Sequence, residues 1–263
     1  MTNNTTRRNA LKTFAVAAGT AIVSAGGSSQ ALAAGAASLL PDGAANLTEL
    51  TRRLGAAPRR RDFKTVPMIL DHPDQWDHAA LTEVIGYRAG PKQAWDNTDI
   101  AGPWLNLMRN SLNAQIWSFR HPDFLAVSAT HGSAHLALFD QLAWDKYDLA
   151  KMSGGKFASN SLLDNKAAAA SGTLDHQSPD GAFSSHENCI PALQQRGVVF
   201  LSCHNAIWEL ADRLNAANVN PDKLPLDALA ADLTNHVIPG AVVTPGAVAT
   251  LVELQQAGFH YIA

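Results

Sequence analysis

The residues able to do chemistry in this chain are two cysteines and ten histidines, set in a background of few charges. Cys203 closes the apolar run Val198, Val199, Phe200, Leu201 and is followed at once by His204 and Asn205, in "GVVFLSCHNAIWELADRL". That run is short, rich in β-branched and aromatic residues, and opened by Gly197, which predicts a buried strand. Ile207, Leu210, Ala211 and Leu214 then recur at three- and four-residue spacing, which predicts a helix with one apolar face. Cys203 is thereby expected at a strand-to-helix junction, where unpaired N–H groups and the helix dipole favour a thiolate. A buried structural cysteine explains the same position without chemistry, and both readings stay open.

Other candidates converge on the same end of the fold. His131 follows the segment "DFLAVSAT", and His135 comes four residues later, so a helix starting near His131 would put both on one face. His186 and Cys189 open the helical segment that precedes the Cys203 strand. Three chemistries suit these residues. In the first, Cys203 is a persulfide-forming or redox thiol, with His204 or His131 adjusting its protonation. In the second, Cys203, His131, His135 and His186 are soft and borderline ligands for copper or zinc, although no complete ligand motif is present. In the third, Cys189 and Cys203 form a structural disulfide in a non-catalytic, oligomeric binding protein. The cysteine spacing matches neither a C-x-x-C redox pair nor a haem attachment. Asp175, His176 and Asp180 fit a ligand loop or a merely solvated one. Nucleophile-elbow, phosphate-loop and dinucleotide motifs are absent, which leaves hydrolase and nucleotide-dependent activities without support. The residues name no cofactor.

The elements that must position these residues are legible in outline. "NLTELTRRL" reads as helix within a lead-in over 34–62, and "TVPMIL" at 65–70 as a first strand that Pro67 demotes to an edge or to a loop. The stretch through "GPKQAWDNTD" is polar and resists assignment. Trp104, Leu105, Met108, Leu112 and Ile116 form a helical stripe, followed by the strand "DFLAVSAT" and a helix in "HGSAHLALFDQLAW". Residues 150–183 read as an insertion. "SSHENCIPALQQRG" reads as helix, "GAVVTP" as strand, "GAVATLVELQQAG" as helix and "FHYIA" as a closing strand. Strands alternating with helices predict an α/β fold: a mostly parallel five-stranded sheet with helices on both faces. Sites in such sheets form at the carboxyl ends of the strands.

The first 33 residues specify an address. Arg7 and Arg8, then Lys12, an apolar Gly- and Ala-rich stretch and "ALA" at 31–33 predict a twin-arginine export signal cleaved after Ala33. The expected destination is the periplasm, with the twin-arginine translocase as a transient partner. Cleavage leaves 17 basic against 23 acidic residues, a formal charge of −6, which argues against nucleic-acid binding. The run "RRRDFK" at 59–64 reads as a solvated surface.

"GVVFLSCHNAIWELADRLN", with "LTNHVIPGAVVTPGAVATLVELQQAGFHYI" behind it, resembles the DsrE/DsrF-like family, the fold of TusD-type sulfur-relay subunits. The likeness lies in a strand ending in cysteine, a following helix, a "PG-V-V-P-GV" style strand and a closing helix with a "Q-GF/Y-YI" end. "DFLAVSATHGSAHLAL" is similar to that family's central strand with its His-Gly turn. The resemblance spans roughly 100–145 and 184–263. It implies a three-layer sandwich over residues 63–263, a homo-oligomer, a persulfide on Cys203, and a sulfur donor or acceptor protein as partner. Members of the relay are cytoplasmic, whereas this chain carries an export signal; the 150–183 insertion and Cys189 have no counterpart in the family pattern.

Overall fold

The computed structural model describes residues 38–165 and 175–263. The export signal expected at 1–33 and part of the expected insertion lie outside the described residues. Five strands, β1 (Lys92–Asn97), β2 (Leu125–Thr130), β3 (Val199–Cys203), β4 (Val242–Thr244) and β5 (His260–Ile262), form one parallel sheet in the order β4-β3-β2-β1-β5. The α/β class, the number of strands and the two helical layers are as expected from the sequence.

Strand composition follows position in the sheet. β2 and β3 are buried along their whole length, as central parallel strands covered on both faces must be. Their side chains alternate between two cores. Ala126, Phe200 and Val243 face the layer of α3 (Trp104–Asn113), α7 (His204–Ala216) and α8 (Leu226–Asn235). Val127, Leu201 and Cys203 face the opposite layer of α1 (Ala45–Ala56), α2 (His78–Ile85) and α9 (Ala247–Gln256). Helix α1 docks through Leu47, Leu50 and Leu54, one stripe at helical spacing.

The first strand is not at 65–70. That segment is irregular, and β1 instead lies in the stretch that resisted assignment. Lys92 opens β1 but is buried, its Nζ donating to the carbonyls of Tyr87 at 2.9 Å and Ala257 at 2.6 Å. The region after β2 also differs from the single helix expected. A 3-10 turn at Ala134–Leu138 ends before Asp140, whose side chain accepts from the Ala143 amide and starts α4 (Gln141–Lys146). α5 (Leu149–Met152) follows, and the helix after Cys189 is only α6 (Ile190–Gln195).

The outer edge of β4 is closed by Asp77. Its amide donates to the Val243 carbonyl at 3.1 Å, and its carboxylate accepts the Val243 amide at 2.7 Å. Arg61 grips the same carboxylate through both terminal nitrogens, at 3.1 and 2.8 Å. No helix among the described residues is long and apolar enough to cross a membrane.

Candidate functional site at the carboxyl edge of the sheet

The crossover from β3 to β4 runs through α7 and α8 on one face, and that from β4 to β5 runs through α9 on the other. The carboxyl ends of β3 and β4 therefore flank the point where the chain changes face, the place where open α/β sheets form a crevice. Cys203 stands there, at the end of β3 and at the N-cap of α7.

Three consecutive residues at this end send their side chains three ways. Ser202 reaches into the first core, where its Oγ is hydrogen-bonded to His135 Nε2 at 2.7 Å. Cys203 points to the other face, and its Sγ accepts the backbone N–H of Ala247, the first residue of α9, at 3.2 Å. His204 turns toward the sheet's margin and donates from Nε2 to the Pro67 carbonyl at 2.8 Å. The alternation of a strand accounts for the first divergence, and the onset of α7 for the second. Cys203 is 5 % exposed, so its sulfur lies just beneath the surface. Both flanking helices, α7 and α9, start at this point.

The histidines expected to act on Cys203 are engaged elsewhere. His131 donates from Nε2 to Asp96 at 2.7 Å, and Tyr261 donates to the other oxygen of the same carboxylate at 2.8 Å. This Asp96-centred trio joins the ends of β1, β2 and β5. Burial lowers the pKa of His204, against the backbone carbonyls it meets. Burial likewise pushes His135 down to about 3, and its Nδ1 has no hydrogen-bond partner among the described residues. His186 is exposed in the loop before α6. Thus His131 and His135 do not share a helical face, because Gly132 and the 3-10 turn replace the first helical turn assumed for them. No group of three or more His, Cys, Asp or Glu side chains able to hold a metal ion occurs among the described residues.

Cys189 and Cys203 are both free thiols in the structure, so the disulfide alternative is not the arrangement found. Cys189 caps α6, its Sγ accepting the Ala192 amide at 3.4 Å. Burial, with a hydrogen bond to Glu187, pushes this thiol up to about 12 and holds it protonated. Of the loop residues, Asp175 accepts the Gln177 amide and His176 stacks on Trp117. Asp96, Tyr261 and Ser202 escaped the sequence reading because their partners lie 35, 165 and 67 residues away, and only the strand register brings them together.

No family model, curated protein or solved structure matches this chain.

Proposed function

We propose that this chain is a sulfur-carrier or thiol-redox protein of DsrE-like type, exported to the periplasm, in which Cys203 is the working thiol. The observation that carries the reading is the Ala247 amide directed at Sγ from the start of α9, at the switch point of the sheet. A helix N-terminus lowers the free energy of a thiolate or of a terminal persulfide anion held there. Cys189, raised by burial and Glu187, is left as a structural cap.

Loading needs no external oxidant. The Cys203 thiolate attacks a sulfane sulfur of a hydropolysulfide, and a new S–S bond forms as the donor's S–S bond breaks. The shortened sulfide leaves with the bonding electron pair and takes up a proton. The product is a Cys203 persulfide, available to a thiol acceptor by the same exchange. The expected homo-oligomer and the sulfur donor or acceptor protein belong to this proposal.

The test is intact mass after exposure to sodium polysulfide under thiol-blocking conditions. Wild type and Cys189→Ser should gain about 32 mass units, and Cys203→Ser should gain none. Full loading of the Cys203→Ser protein would remove Cys203 as the carrier.

A further inference from the structure

A second site lies at the opposite edge of the sheet, where α3 runs out beside the amino end of β2. There a cavity of about 520 Å³ opens between the lead-in at Leu40 and Asp42, the turn bearing Ile116 and Trp117, Arg120, and the loop carrying His176 and Phe183. The volume is that of a small-molecule pocket. The last turn of α3 passes into π-helix at Ala114–Ser118, a form concentrated at functional sites. Arg120, two residues on, holds a left-handed backbone at φ 61°, uncommon for a side chain other than glycine or asparagine.

Behind the aromatic wall lies charge without a counter-charge. Arg196 is 1 % exposed, and its guanidinium carbon sits 5.5 Å from the Trp117 ring centre and 5.0 Å from that of Phe183. Its Nη2 donates to Asn113 at 2.7 Å, whereas Nε and Nη1 have no acceptor among the described residues. Arg109, also buried, donates among the described residues to neutral oxygens, those of Asn106, Asn110, Asn188 and the Phe183 carbonyl. Burial and repulsion from Arg109 lower the Arg196 pKa, and no ion pair among the described residues offsets them. A buried cation without a partner is expensive, and its field is little screened in an apolar surround.

We propose that this cavity binds a small monoanionic carboxylate with an apolar or aromatic body. Arg120, which lines the cavity and makes no ion pair among the described residues, receives the carboxylate. The Arg196 and Arg109 guanidiniums supply the positive field from behind the rings. Leu40, Ile116, Trp117 and Phe183 enclose the apolar body, and Asp42 at the wall disfavours a second negative charge.

The experiment is calorimetric titration of the full chain, at low ionic strength, with 4-phenylbutyrate, indole-3-acetate, their neutral amides and the dianion phenylsuccinate. Saturable 1:1 binding of at least one monoacid is expected, with its amide and the dianion weaker by about tenfold or more. Arg120→Gln, on an exposed side chain, should weaken the acid to the level of the amide. Trp117→Leu should weaken both, and Arg196→Met, where it folds, should weaken the acid alone. The Cys203→Ser protein should bind as wild type does, which separates this site from the thiol. Absence of binding by both monoacids up to millimolar concentration, equal affinity for acid and amide, or undiminished acid binding by Arg120→Gln would each overturn the proposal.

Discussion

The Ala247 amide and the Cys203 sulfur, 44 residues apart in sequence, meet across 3.2 Å and fasten the end of β3 to the start of α9. The donor belongs to the first turn of a ten-residue helix and has no carbonyl of its own helix to serve, so sulfur fills a position that water or a capping oxygen would otherwise take. Replacing Cys203 with Ala strands that N–H and should cost about 1–3 kcal/mol in urea unfolding. Cys203→Ser keeps an acceptor and should cost less. Equal losses in the two variants would mean that packing alone, and no hydrogen bond, is felt at this position.

The bond from His204 to Pro67 lays residues 66–69 against the residue that follows the thiol. Met68 and Ile69 stand exposed on that segment, at 56 % and 70 %. His204→Ala removes the tether and should destabilise the fold by about 1–2 kcal/mol. It should also raise the rate of Cys203 alkylation by iodoacetamide several-fold. An unchanged rate in a folded His204→Ala protein would take this segment off the path to the sulfur.

Two histidines should give opposite pH slopes to stability. His135 is neutral and buried, its pKa pushed down to about 3 from 6.5. The unfolded chain therefore binds the extra proton first as pH falls, and stability is lost from about pH 6.5 toward 3, by up to about 1.4 kcal/mol per pH unit. His236 is the reverse case. Its hydrogen bond to the Asp140 carboxylate holds its pKa above 6.5, against burial and the nearby Lys146, with Asp232 adding to the attraction. That contribution is present below about pH 6.5 and is lost as pH rises through the folded-state value. Urea midpoints measured against pH should lose their acid slope in His135→Gln and the slope above 6.5 in His236→Gln. Parallel curves for all three proteins would contradict both assignments.

Gly132 should tolerate no side chain. Its φ is +56°, and a Cβ built there would lie 2.7 Å from the Thr98 carbonyl oxygen. The close approach lets the turn after β2 present His131 to Asp96. Gly132→Ala should cost about 2–4 kcal/mol and, in the surviving fold, shift the His131 imidazole NMR signals. A thermal midpoint equal to that of wild type would show that the turn relaxes freely.

Much of the scaffold was legible because the segments that carry it repeat a simple period. The Val199–Cys203 strand, the helices at Ala45–Ala56 and Ala247–Gln256, and the closing strand all declare themselves by apolar spacing. β1 did not. It opens on a lysine that donates to two carbonyls, one of them 165 residues away, and ends in Asp96 and Asn97, both bound to side chains on other strands. Helices α2 and α8 were likewise missed. The position of Cys203 was readable because strand and helix signals abut there. The company it keeps was not: its partner is a backbone amide, which leaves no trace in residue type.

Asp77 has a consequence for assembly. By exchanging two bonds with Val243 it behaves as a false neighbouring strand, and Arg61 holds it in place. The sheet thus ends on the β4 side in a seal, and a second copy cannot lengthen it there by main-chain pairing. Main-chain pairing between two copies is thereby left to the other margin of the sheet, the three residues His260–Ile262.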